Sequence, residues 1–241
     1  MTRFIVNMAL FLLLMFFGAY ESAFSISIGN VTSAQRSGTN QATLTFNHDN
    51  NGDYLVVLVG VESTSAKSVS SLTYNGVALT EAVDQINNNL RVCSIYYLTN
   101  PAIGINTVSF DLSANSADRI AIAVSIIDAA DEAPDITASN TAAASTSIAL
   151  THVPNAINGE SANIALGCYK DNAALTFSAD LGQTEQANIA EGPDLSISGV
   201  TAISSSSQTY DWSGSASNDW AAVAAEIKQP LGGSTRRVWK N

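Results

Sequence analysis

The sequence predicts an all-β protein, a two-sheet antiparallel β-sandwich of the jelly-roll or concanavalin-like kind. Three observations carry this. Short runs rich in Val, Ile, Leu, Tyr and Thr alternate apolar with polar residues or are apolar throughout. Turn residues separate these runs every ~8–12 positions, the spacing of an antiparallel sandwich. Helical periodicity is nearly absent from Ile26 onward.

Each element can be justified in order. "QATLTF" alternates apolar with polar residues, and "YLVVLVGV" is a continuous β-branched run that suits a strand buried on both faces. "SLTYNGVALTEAV" reads as two strands around Asn75-Gly76, because an Asn-Gly pair accepts the positive φ angles of a tight hairpin turn. "LRVCSIYYL" follows, and Asn100-Pro101 and Gly104 close it with a turn. In "NTVSFDLS" Val108, Phe110 and Leu112 share one face, with Ser109, Asp111 and Ser113 on the other. "RIAIAVSII" is another buried run. "TSIALTHV", "ANIALGCYK", "LTFSADL", "TEQANIA", "SISGVTAI", "QTYDW" and "WAAVAAEI" complete about a dozen strands. The last is rich in Ala and could be helical by propensity; its short length and its strand neighbours favour a strand. Small residues in these runs let two packed sheets approach closely.

Several of these segments resemble a known arrangement: Gly52 to Val57 (Gly-Asp-x-Leu-Val-Val), Tyr74 to Leu79 (Tyr-Asn-Gly-x-x-Leu), Tyr96 to Gly104 (Tyr-x-Leu-x-Asn-Pro-x-x-Gly) and Trp220-Ala221. Their order resembles that of an uncharacterised lectin-like or jelly-roll β-sandwich module of bacterial and environmental surface proteins. The resemblance covers most of the chain after the N-terminal segment. It implies a sandwich fold and an extracellular setting. It implies no particular activity, because one fold hosts many functions.

Composition bounds the function classes. Of 241 residues, 46% are hydrophobic and only 13% charged, so solubility must come from Ser, Thr, Asn and Gly. The net charge of −11 lacks the basic stripe that nucleic acid requires and disfavours an anionic membrane surface. "MTRFIVNMALFLLLMFFGAYESAFS" places Arg3 before an apolar run, the layout of a secretory signal. Residues 1–25 are therefore expected to be a signal peptide cleaved before Ile26, or alternatively an N-terminal anchor. No later apolar run is long enough to span a membrane. Residues 26–229 form the sandwich domain, and "PLGGSTRRVWKN" at 230–241 reads as a linker and basic tail. Without both ends, the domain holds six basic against twenty acidic residues.

Export permits a disulfide. Cys93 alternates with Ile95 and Tyr97, and Cys168 with Ile164 and Leu166, so both thiols point into the core. They form a bridge there or pack as two small apolar groups.

Candidate chemistry is sparse. Asp49, Asn51 and Asp53 alternate like the start of a calcium loop, but Tyr54 stands where the loop needs Gly and Glu62 is out of register. "DNNGD" reads better as a polar turn, with calcium as a lesser alternative and no other cofactor or metal indicated. Asp128, Asp131, Glu132 and Asp135 form an acidic loop that would need two convergent carboxylates to cleave a glycosidic bond. His48 and His152 lack the spacing of a zinc site, and there is no Gly-x-Ser-x-Gly elbow for a hydrolase. Asn30-Val31-Thr32 is a glycosylation sequon. Tyr210 and Trp212 share one strand face and would suit stacking on a sugar ring, provided that face is exposed.

The expectation is a secreted or surface-exposed, non-catalytic protein with a structural or adhesive role, meeting glycans or other surface proteins and capable of self-assembly through strand edges. The alternatives are a carbohydrate-binding module built on Tyr210 and Trp212 and, behind it, a glycoside-active enzyme of lectin-like fold.

Overall fold

The computed structural model describes residues 25–37, 43–62, 68–87, 91–113, 118–155, 160–170, 173–191 and 195–230. The expected signal segment up to Phe24 and the tail beyond Pro230 lie outside the described residues. Within them the fold is all-β and antiparallel, with sheets packed face to face.

A five-stranded sheet forms the middle of the molecule. It contains β1 (Ser27–Arg36), β3 (Tyr54–Glu62), β6 (Thr80–Asn87), β7 (Arg91–Thr99) and β9 (Asp118–Ile127), in the order β1-β9-β3-β7-β6. Its central strands are apolar on both sides because both sides are covered. Tyr54, Val56, Leu58, Ile122, Val124 and Ile126 face one way, and Leu55, Val57, Val59, Ala121 and Ala123 face the other. A strand enclosed this way cannot alternate with polar residues, which is why "YLVVLVGV" and "RIAIAVSII" read as unbroken runs.

On one side lies a four-stranded sheet of β2 (Thr43–Asn50), β8 (Gly104–Leu112), β4 (Val69–Tyr74) and the two-residue β5 (Val77–Ala78). It contributes Leu44, Leu72, Tyr74, Val108, Phe110 and Leu112 to the shared core. The turn between β4 and β5 is the expected one: Asn75 and Gly76 both have positive φ, 50° and 75°. On the other side lies a six-stranded sheet of β10 (Thr137–His152), β11 (Ser161–Tyr169), β12 (Thr176–Ser178), β13 (Gln183–Glu191), β14 (Leu195–Ser204) and β15 (Gln208–Lys228). The sandwich therefore has three described sheets where the sequence suggested two, with an apolar core in each of the two spaces between them.

The six-stranded sheet adds a further cover of its own. "QTYDW" and "WAAVAAEI" are not separate strands but parts of β15, 21 residues long. Trp220–Lys228 pairs with β11, while Gln208–Ser213 pairs with the end of β10 and with β12. Between these stretches the β10–β15 ladder slips twice, at Ala142/Ser145 and Ser145/Ser147, and Ala144 takes a φ of 54°. Such bulges bend a ribbon sharply. The far half of the β10–β15 ribbon thus folds back over the outer surface of β11 and β14, enclosing Ile148, Leu150, Tyr210 and Trp212 against Ala165, Val200, Ala222 and Ala224.

Tyr169 holds the bend. Its hydroxyl reaches the carbonyls of Ser145 and Ala216 and accepts the Asn218 N–H at 3.2 Å. Gly214 makes room for it, since a Cβ there would collide with the Tyr169 ring.

Candidate functional site

The stacked pair Tyr210 and Trp212, 5.9 Å apart, is present but buried, at 0% and 2% exposure. The Trp212 indole N–H donates to Ser198 Oγ at 2.9 Å, and its ring lies over Gly167, where a Cβ would come within 2.9 Å of it. Phe177 flanks it at 5.7 Å. The exposed sugar platform expected from these two residues is therefore absent from the surface. The folded-back ribbon turns their strand face inward, and the rings serve as core.

Cys93 on β7 and Cys168 on β11 form a disulfide, with Cα atoms 5.9 Å apart. The bridge crosses the core between the central and six-stranded sheets, among Ile95, Ile164, Leu166 and Ile197.

The Asp49–Asp53 segment is a hydrogen-bonded corner. Asn50 is buried and donates to the carbonyls of Gly52 (2.8 Å) and Ala102 (3.2 Å), while its Oδ1 accepts from the Gly52 N–H and the Ser125 hydroxyl. Asn51 Oδ1 accepts the Asn30 N–H at 2.8 Å, and Asp53 Oδ1 accepts the Ala129 N–H at 3.2 Å. Asn30, the sequon residue, is exposed and donates through Nδ2 to the Asp49 carbonyl. Two of the three alternating oxygen side chains thus cap backbone. Among the described residues no three His, Cys, Asp or Glu side chains converge on a metal-sized site.

His48 adjoins this corner and joins two sheets. Its Nε2 lies 2.9 Å from Ser125 Oγ on β9, and its Nδ1 lies 3.1 Å from Thr32 Oγ1 on β1. The direction of the protons follows from the partners. Ser125 donates its only proton to Asn50 Oδ1, so His48 Nε2 must carry a proton and donate to Ser125. In this arrangement the imidazole donates to Ser125 and does not accept from it. Burial lowers the His48 pKa below its ordinary value, and the neighbouring Asp49 only partly opposes this.

The acidic loop connects the central sheet to β10. Asp135 pairs with Lys228 Nζ at 2.7 Å and accepts from Asn155 Nδ2 at 3.0 Å; these bonds hold its carboxyl below the usual range. The Glu132 carbonyl accepts from the Tyr54 hydroxyl, and the Ala130 N–H donates to the Lys228 carbonyl. Asp128, with a φ of 58°, has its carboxyl pushed up, first by burial and then by Asp53.

Sequence reasoning missed a second polar cluster. Glu226 is buried, accepting from the Ser161 hydroxyl (2.6 Å) and the Asn155 N–H (2.8 Å), with His152 close enough to feel its charge. The signal was a carboxylate in step with Ala222 and Ala224, on an inward face of "WAAVAAEI".

The outer face of the four-stranded sheet has a different character. Alternation exposes Thr43, Thr45, Asn47 and Asp49 on β2 and Ile105 and Thr107 on β8. Register aligns Thr45 with Ser109 and Thr73, Asn47 with Thr107, and Thr43 with Asp111 and Ser71. The result is a sheet surface of hydroxyl and amide groups with two carboxylates, one exposed apolar side chain, Ile105, and no cationic side chain among these positions. Among the described residues two cross-strand side-chain bonds tie it together, Thr107 to Asn47 (3.2 Å) and Ser71 to Asp111 (2.9 Å).

No protein-family model, no curated protein and no solved structure matches the chain.

Proposed function

We propose that this is a secreted or surface-exposed, non-catalytic β-sandwich protein whose role is structural or adhesive. The observation that carries the reading is the outer face of the four-stranded sheet. Its aligned Thr, Ser and Asn side chains offer many weak hydrogen-bonding groups that are little desolvated by one another and carry few charges. Such a face suits broad, shallow contact with glycans or with other surface proteins. The Arg3-led apolar segment supports export, and the Cys93–Cys168 bridge supports an oxidising compartment.

A glycan array with and without calcium, run beside binding to intact cell surfaces, tests this. Binding that falls at least tenfold in a Thr45→Lys/Thr107→Lys variant, with recovered oligosaccharides intact, is the expected result. The absence of any glycan or surface retention above that of an unrelated sandwich protein would remove the proposal. Cleaved oligosaccharide would replace it with an enzymatic reading.

A further inference from the structure

His152 is the last residue of β10 and stands opposite Gln208, at the free end of the folded-back ribbon. Its imidazole is buried, and neither ring nitrogen has a hydrogen-bond partner. It follows Ile148 and Leu150 on the ribbon's inner face, turned toward the outer surface of the six-stranded sheet. On that surface the register puts Asn163 between Glu226 and Ala202. Asn163 Oδ1 and the Tyr210 hydroxyl are also buried without partners. Toward the bend the ribbon is held by stacked rings and the Tyr169 bonds. At the opposite end the buried polar atoms of His152, Asn163 and Tyr210 lack partners, and the bonds that hold it are those of the Gln183 amide, which donates to the Thr209 carbonyl at 2.9 Å and to Gln208 Oε1 at 3.3 Å. A cleft of about 440 Å³ adjoins this end, lined by Asp180, Leu181, Ser204, Ser206, Ser207 and Gln208, and the Ser207 hydroxyl donates to the His152 carbonyl at 3.4 Å.

We propose that His152 is an acid-sensitive catch: protonating its imidazole frays residues 151–153 and 207–209 and widens the cleft beside Gln208. The charged group facing His152 is Glu226, on β15. Beyond Glu226 lies the Lys228–Asp135 ion pair. Gln208 beside it, Asn163 from β11 and Tyr210 from the other ribbon strand are neutral. Glu226 favours the imidazolium, but burial outweighs it and lowers the pKa from its ordinary value of 6.5. The free imidazole therefore takes a proton before the buried one. The frayed state gains weight as pH falls below about 6.5, by about tenfold per pH unit until the buried form titrates. Fraying stops short of Trp212, because exposing that ring with Phe177 and Leu150 costs far more than one proton supplies.

Hydrogen exchange of the full chain between pH 7.5 and 5.0, corrected for intrinsic rates, tests this. Exchange at residues 151–152 and 208–209 should rise about tenfold per pH unit below about 6.5 while β11 and β14 stay protected and Trp212 fluorescence holds. His152→Asn should remove the dependence. His152→Gln serves as a second non-titrating variant, and Glu226→Gln should leave the onset near 6.5 unchanged while extending the rise to lower pH. Equal protection at both pH values overturns the proposal, as does an unchanged response in either His152 variant or a loss that spreads to β11 and β14 together.

Discussion

Replacing Cys93 and Cys168 together with alanine should lower the unfolding free energy by about 4–5 kcal/mol. The bridge spans 75 residues of sequence, and closing a loop of that size removes roughly this much freedom from the unfolded chain. Against a total of ~5–15 kcal/mol for an ordinary domain, the loss is severe. Urea unfolding of the oxidised protein and the double variant measures it. The midpoint should fall, and the slope should rise as the unlinked chain expands more fully. Since these are the chain's only two cysteines, unfolded but unreduced protein should show no thiol reactive toward a colorimetric reagent. A full equivalent of two thiols, with an unchanged urea midpoint, would mean that the bridge does not form.

Trp212→Ala should cost about 3–5 kcal/mol of stability, the usual range for removing a buried large aromatic. The Trp212 side chain fills the space over Gly167, stacks with Tyr210 and donates to Ser198. Its loss would leave a cavity beneath the folded-back ribbon and remove the donor to Ser198 Oγ, whose hydroxyl still donates to Glu185 at 2.6 Å. Thermal unfolding should show the effect directly. Any glycan affinity, measured well below the lowered melting temperature, should be unchanged. Lost affinity in a variant that is still fully folded would restore the reading of Trp212 as a binding platform.

The contrast between the expected and actual roles of Trp212 shows how far the sequence is readable. Alternation placed Tyr210 and Trp212 on one face correctly, and it placed both cysteines in the core. The Asn75-Gly76 turn and the unbroken runs of β3 and β9 were equally legible, because local chemistry decides them. Which side of β15 faces solvent was not. That depends on the bend at Ser145 and Ala216, and "SGSASN" reads as a simple turn between two strands when the chain in fact continues through it as a bulged ribbon. The first half of β10, "TASNTAAAS", gave no strand signal, since its small residues take their conformation from pairing with β15. The third sheet was hidden for a related reason: a strand covered on both faces shows that it is enclosed, but not by which partners. His152 and Glu226 were single polar letters in apolar runs, and only the long-range register brings them together.

The double enclosure of the central sheet also governs how the molecule must assemble. β3 and β9 have no face that tolerates water, so neither flanking layer can be removed to leave a soluble remainder. Cutting the chain after Ile127, near the boundary between the first nine strands and the last six, should yield two fragments that precipitate alone. The partners of β3 and β9 lie far apart along the chain, so the order of events is slow and concerted. Until the last layer closes, these runs are the segments most prone to associate between molecules.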